Sequence, residues 1–203
     1  VYGSSSDYLA SGLDGMEIYN RHADAMDDKE LLDFLGAASK DPAAWAKFAA
    51  LVKQYPDEVF GAGCDYWPAV FEKWNQALAG RKFTGIAAND AHRNTLIQGV
   101  LLDPYEVSFR NLSTHILARE FTETAIRESL LEGHAYVAHD WLADPTGFSF
   151  IAVNNLGLFE TGDAATHTGK TRLHVATPVA AHIKLIHGGK VAAESNDSRL
   201  LYE

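Results

Sequence analysis

The stretch Phe83-Thr84-Gly85-Ile86-Ala87-Ala88-Asn89-Asp90-Ala91-His92-Arg93-Asn94 changes character half-way along. Its first half is small and apolar, as in a strand buried on both faces, and its second half is polar. In α/β architectures that switch marks the C-terminal end of a strand, the usual place for catalytic and ligand groups. Asp90 and His92, two residues apart, offer a carboxylate oxygen and an imidazole nitrogen to one pocket, donors suited to a divalent metal. Spacing alone leaves a second reading open, in which Asp90 caps the next turn and His92 lies on the surface.

Upstream, Gly12-Leu13-Asp14-Gly15-Met16-Glu17-Ile18-Tyr19-Asn20 reads as a short strand after a glycine-rich turn, with a carboxylate and an amide at its far end. Glu17 there is a ligand candidate, or a hydrogen-bonded or solvated carboxylate. From Asp27 to Tyr55 the pattern is helical. Asp27 or Asp28 caps a helix with Gly36 near its end, and Asp41-Pro42 starts another whose Trp45, Phe48, Ala49 and Val52 form one buried face up to the stop at Pro56. A third helix spans about Pro68 to Ala79, with Val70, Phe71, Trp74 and Leu78 on one stripe and Gly80 beyond its end.

Downstream, Thr122 caps the helical run Glu123 to Leu131, Gly133 ends it, and Ala135-Tyr136-Val137-Ala138 follows as a strand. After Asp144-Pro145-Thr146-Gly147 the helical signal disappears. Phe148 to Val153, Arg172 to Thr177 and His182 to His187 read as strands, and Gly188-Gly189 supplies the positive φ of a hairpin turn. Residues 144–203 are thus expected to be a small β-rich, sandwich-like module after an α/β part at 1–143.

Taken together, Gly15-Met16-Glu17-Ile18-Tyr19-Asn20 and Gly85-Ile86-Ala87-Ala88-Asn89-Asp90-Ala91-His92 resemble the later half of a PHP domain, the polymerase and histidinol phosphatase superfamily. Within it the chain is similar to the carbaryl-hydrolase-like branch. Ala125 to Ala138 is similar to that branch's closing helix and strand, and Ile183 to Lys190 to the hairpin of its C-terminal β module. The resemblance implies an α/β fold: the later part of a distorted (β/α)7, TIM-like barrel, followed by the β module. It also implies a centre of two or three divalent metals, zinc, manganese or iron, that hydrolyses a small-molecule phosphoester, ester or carbamate. Carried onto this sequence, it makes Glu17 a bridging metal ligand and Asp90 and His92 further ligands. A bridging carboxylate holds two cations close together, and the cations turn a bound water into hydroxide near neutral pH.

Around that set, Asn20, His22 and Arg93 are candidates for substrate contact or support of the ligands. His22 also fits an exposed loop, and Arg93 fits either a bidentate hold on phosphate or carboxylate or a salt bridge to a nearby acid. The family's earlier motifs, a His-x-His pair among them, would lie before Glu17, and no His-x-His occurs in the chain. Three donors fall short of a two-metal centre. The chain opens at Val1-Tyr2-Gly3-Ser4-Ser5-Ser6-Asp7 without Met, basic stretch or apolar stretch. It therefore reads as a cut or processed product, with localisation open between cytoplasm and periplasm or secretion. Missing barrel strands would leave open edges near Glu17 and Tyr136, which an N-terminal segment or another copy would pair.

The 203 residues carry 17 basic and 27 acidic side chains, a net charge of −10, which repels nucleic-acid backbones and anionic membranes. No apolar run is long enough to span a bilayer, and the single Cys64 has no disulfide partner. No nucleophile elbow or phosphate-binding glycine loop occurs. Trp45, Trp67, Phe71 and Trp74 read as core or interface. His134 reads as satisfying a helix C-terminus, and His115 and His139 lie near the end of the barrel part. The four histidines of the β module, His167, His174, His182 and His187, show no pattern of acidic partners. A different class of function, a non-catalytic binding or structural module with a degenerate barrel and a ligand- or partner-binding β domain, fits the same residues if the metal donors have no role.

Overall fold

Two parallel strands, β1 (Gly15–Asn20) and β2 (Thr84–Ala88), bring the two motifs side by side. The structure, a computed structural model, describes residues 12–64, 68–167 and 169–203. Val1–Asp7 and Trp67, singled out above, lie outside the described residues. Between the two strands run α1 (Arg21–Asp27), α2 (Lys29–Ala38), α3 (Pro42–Gln54), α4 (Pro56–Gly61) and α5 (Pro68–Leu78). After β2 come the short hairpin β3 (Leu96–Ile97) and β4 (Val100–Leu101), then α6 (Tyr105–Asn111), β5 (Ser113–Ile116), α7 (Glu123–Glu132) and β6 (Ala135–Ala138). The chain closes with β7 (Ser149–Asn154), β8 (Gly157–Phe159), β9 (Arg172–His187) and β10 (Lys190–Tyr202).

Three of the helices start at the polar caps expected for them. Asp28 accepts the Leu31 N–H at 2.9 Å to begin α2, Asp41 accepts those of Ala43 and Ala44 ahead of Pro42 in α3, and Thr122 accepts that of Ala125 in α7. Gly133 ends α7 at φ 79°, a conformation a side chain would strain. Three helices, α1, α4 and α6, were not expected from the sequence. α1 begins directly at the end of β1, and Pro56, which stops α3, also opens α4 as its first residue. Gly36 falls near the end of α2, which closes two residues later at Ala38.

Helix α5 covers the β1–β2 pair. Met16, Ile18, Val70, Ala77 and Phe83 form a buried cluster, and the Trp74 indole N–H donates to the Phe83 carbonyl at 2.7 Å. Burial of Phe83 alone is worth about 2–3 kcal/mol. It is Ala77 that meets the strands, whereas Leu78, expected on the stripe, is largely exposed. β2 is not buried on both faces, because Ile86 is exposed. A second cluster of Ala38, Trp45 and Phe48 joins α2 and α3, with Ile97 and Val100 of the β3–β4 hairpin against it.

Among the described residues the strands before 140 pair two by two, with β5–β6 antiparallel, and do not close a barrel. Thr114 on β5 ties that pair to β2: its hydroxyl accepts the Ala87 N–H at 2.9 Å and donates to the Ala87 carbonyl at 3.2 Å. The final residues form a four-stranded antiparallel sheet in the order β10-β9-β7-β8 around Val175, Ile183, Leu185 and Leu200. Gly188 and Gly189, at φ 55° and 75°, make its hairpin turn. One strand, β9, replaces the two expected. The chain stays extended through Pro178, and the β10 ladder skips residues 177–180 there.

Candidate functional site

β1 and β2 run in register from Gly15 opposite Thr84 to Asn20 opposite Ala88, so the polar groups that follow emerge on one side. The register slips between Glu17 and Tyr19: Glu17 lies opposite Ile86 and Tyr19 opposite Ala87, leaving Ile18 as an extra residue in β1. This bulge decides the site. On a regular strand, residues three apart point to opposite faces, but one bulged residue between them returns Asn20 to the face of Glu17. Ile18 and Tyr19 both line a cavity on the other side.

Asn20 is the hub. Its side-chain oxygen accepts the Ala23 N–H at 2.9 Å and so caps α1, which fixes the orientation of the amide. The amide nitrogen then donates to Glu17 Oε2 at 3.1 Å and to Asp90 Oδ2 at 3.2 Å. Asp90 Oδ1 lies 2.8 Å from His92 Nε2, and the His92 ring stacks on that of His22, centroids 5.2 Å apart and planes 7° apart. Glu17, Asn20, His22, Asp90 and His92 therefore form one contiguous chain of contacts. Arg93 follows but is exposed and makes no ion pair among the described residues.

The hydrogen bond to His92 and the Asn20 amide outweigh burial and hold the Asp90 carboxyl below the usual carboxylate range. Asp90 adopts φ 51° and Arg93 φ 55°, left-handed conformations that a non-glycine residue keeps only when its surroundings enforce them. The enforcing group is Asp103. It is 5% exposed, and its carboxylate accepts the backbone N–H groups of His92, Asn94 and Thr95 at 3.2, 3.3 and 3.0 Å. Burial works to raise this carboxyl, but the three donors overcome it and hold it low.

A buried network lies beneath. Arg21 donates to the carbonyls of Phe60 at 2.7 Å and Ala62 at 2.6 Å, and Tyr19 donates to Asp24 at 2.5 Å. Burial, then Asp24 and Cys64, push the Tyr19 hydroxyl far above its ordinary pKa. His139 packs edge-on to Tyr19 at 5.0 Å, and burial together with Arg21 lowers its imidazole. Tyr19, Cys64 and His139 share the cavity of about 510 Å³ that runs from β1 to Phe148 and Phe150. Elsewhere His115 pairs with Asp140 at 2.8 Å and His134 with Asp163 at 3.2 Å. His182 pairs across the hairpin with Glu194 at 2.8 Å, an acidic partner the sequence pattern did not show.

Two carboxylates and an imidazole are the right donor types for a borderline divalent cation. Among the described residues, however, no three His, Cys, Asp or Glu side chains are arranged to hold a metal ion together. Asn20 Nδ2 stands between Glu17 and Asp90, and Asp90 and His92 are bonded to each other. Donor chemistry fits, while a ready-made three-donor cage is not present.

No family model matches this chain, and neither a curated protein nor a solved structure does. The site accordingly rests on its own geometry and on the resemblance of its motifs. Asp103 and Arg21 went unnoticed in the sequence. Asp103-Pro104 is a turn-forming dipeptide, which is the one local signal for the first, and nothing local marks the second.

Proposed function

We propose that the chain is part of a PHP-type metal-dependent hydrolase that cleaves a phosphoester, ester or carbamate with water, and that Glu17, Asp90 and His92 contribute to its metal site. The observation that carries this reading is the Asn20 amide shared between Glu17 and Asp90, which draws together carboxylates from two parallel strand ends. Water and ester give an acid and an alcohol, so atoms and charge balance without a further reactant. A bound divalent cation supplies a low-pKa water and polarises the substrate oxygen.

The chain's own residues prepare the site. With Nε2 donating to Asp90, His92 keeps its Nδ1 lone pair free, the arrangement in which a carboxylate orients a metal-binding imidazole. His22 fixes the ring plane by stacking. Asn20 holds the two carboxylates in place and gives up its N–H contacts if a cation takes over between them. Waters or a further chain segment complete a coordination shell that three donors leave open.

The test is metal analysis of the 203-residue chain, with melting temperature measured with and without Zn²⁺ and Mn²⁺ and turnover of p-nitrophenyl phosphate and p-nitrophenyl acetate. A rise of several degrees with metal, abolished in the Asp90→Ala, His92→Ala double variant, is expected. Identical metal content and melting in that variant overturns the reading.

A further inference from the structure

A cavity of about 620 Å³ opens beside the cluster, between α1 to α4 and the loop that carries Asp90. We propose that it receives a hydrocarbon group of the substrate, so that the hydrolysed compound is an amphipathic ester with its scissile end at Asp90 and His92. This rests on the hydrolase reading above and specifies its substrate class.

The cavity has one polar end and an apolar body. His22 and Asn89 line the polar end, and because His22 stacks on His92, the space reaches to within one ring of the proposed centre. Asn89 lies directly before Asp90, and its Oδ1 is buried without a hydrogen-bond partner. The body is walled by Phe34 of α2, Phe48 and Leu51 of α3 and Ile97 of the β3–β4 hairpin.

Phe34 and Leu51 are 53% and 46% exposed although both belong to helices that already bury a core face. Large apolar side chains left open around a concavity of this volume are characteristic of a ligand site. The charged lining groups argue against a sugar phosphate or nucleotide. Arg21 is buried, with Nε and Nη2 on two backbone carbonyls and Nη1 3.8 Å from Asp24, and Asp103 is engaged by three backbone N–H groups, which leaves Glu58, an anion, and no exposed cation to meet a polar or phosphorylated body.

The experiment titrates the 203-residue chain with 1-alkanols from butanol to decanol by calorimetry, probes that carry the hydrocarbon and the leaving-group oxygen without charge. Binding should tighten by roughly fourfold per added methylene until the cavity is full. Phe34→Asp and Leu51→Asp, at exposed positions, should each weaken decanol binding tenfold or more while the circular dichroism spectrum remains that of the folded chain. The Asp90→Ala, His92→Ala variant should retain the chain-length series.

A flat series, or one untouched by both aspartate variants, overturns the proposal while leaving metal binding to stand or fall separately. A steep series in a chain whose melting and metal content ignore Asp90 and His92 overturns the hydrolase reading, and with it the assignment of the ligand as substrate. A flat series with a sedimentation dimer that Phe34→Asp dissociates also overturns the proposal, assigning the groove to a second copy.

Discussion

The carboxylate of Asp103 accepts the backbone N–H of His92 at 3.2 Å, and with two further N–H groups it holds the loop in which Asp90 and Arg93 are left-handed. Strain at the candidate site is thus opposed by a buried acceptor outside it. Asp103→Ala leaves three donors without a partner and should cost about 2–4 kcal/mol in urea unfolding. Asp103→Asn keeps one acceptor oxygen and should cost about half as much. Amide exchange of His92, Asn94 and Thr95 should accelerate together in both variants; unchanged protection there would remove Asp103 from its place.

Gly85 is set by close packing. A Cβ there would meet two Ile18 side-chain carbons at 2.9 Å and Trp74 at 3.1 Å. Gly85→Ala should destabilise by about 1–3 kcal/mol in thermal melting. Ile18→Ala in the same chain should recover part of that loss, giving a non-additive double-mutant cycle. Strict additivity would show that the two residues are not in contact.

Arg21 serves two carbonyls with one planar fork. A lysine reaches only one of them and leaves the other buried and unmatched, so Arg21→Lys should lower stability by about 2–3 kcal/mol despite keeping the charge. Chemical denaturation of this variant beside Arg21→Met separates geometry from charge. If lysine restores wild-type stability, the fork has no role.

His139 gives the fold a pH dependence of definite sign. Burial and Arg21 hold its imidazole below the ordinary 6.5, with Asp24 and Asp140 pulling weakly the other way. As pH falls below 6.5 the unfolded chain takes up this proton before the folded one does, so stability drops through that window and is restored as pH rises. The melting temperature should decrease between about pH 7 and pH 5.5, and His139→Gln should make that decrease shallower. An identical slope in the variant would assign the effect to other groups.

Local signals were the legible ones. Asp41-Pro42, Thr122 with Gly133, and Gly188-Gly189 act through bonds a few residues long, and each stands where the sequence places it. The polar switch after Ala88 likewise marks a real strand end. Readings that depend on tertiary context fared differently. At the end of α5 it is Ala77 rather than Leu78 that packs with Met16 and Phe83, a choice between neighbours that periodicity alone cannot make. The strands expected at Arg172–Thr177 and His182–His187 are one, because extended backbone accommodates Pro178 where the ladder has no partner. At the site, Glu17, Asn20, His22, Asp90 and His92 converge, whereas Arg93 points to no partner among the described residues and Asp103 enters from a loop that spacing could not connect.

The extra residue at Ile18 bears on how such a site could be transplanted or sought in other chains. Glu and Asn separated by two residues share a face only if the strand between them is irregular. Grafting this pair onto an idealised, evenly pleated strand would send the amide to the wrong side, whereas deleting Ile18 and the bulge with it would leave Glu and Asn two apart and still on one face. A search template for this cluster must therefore specify an insertion in the pleat as well as the residue types, since Glu-x-x-Asn on a straight strand describes two unrelated surfaces.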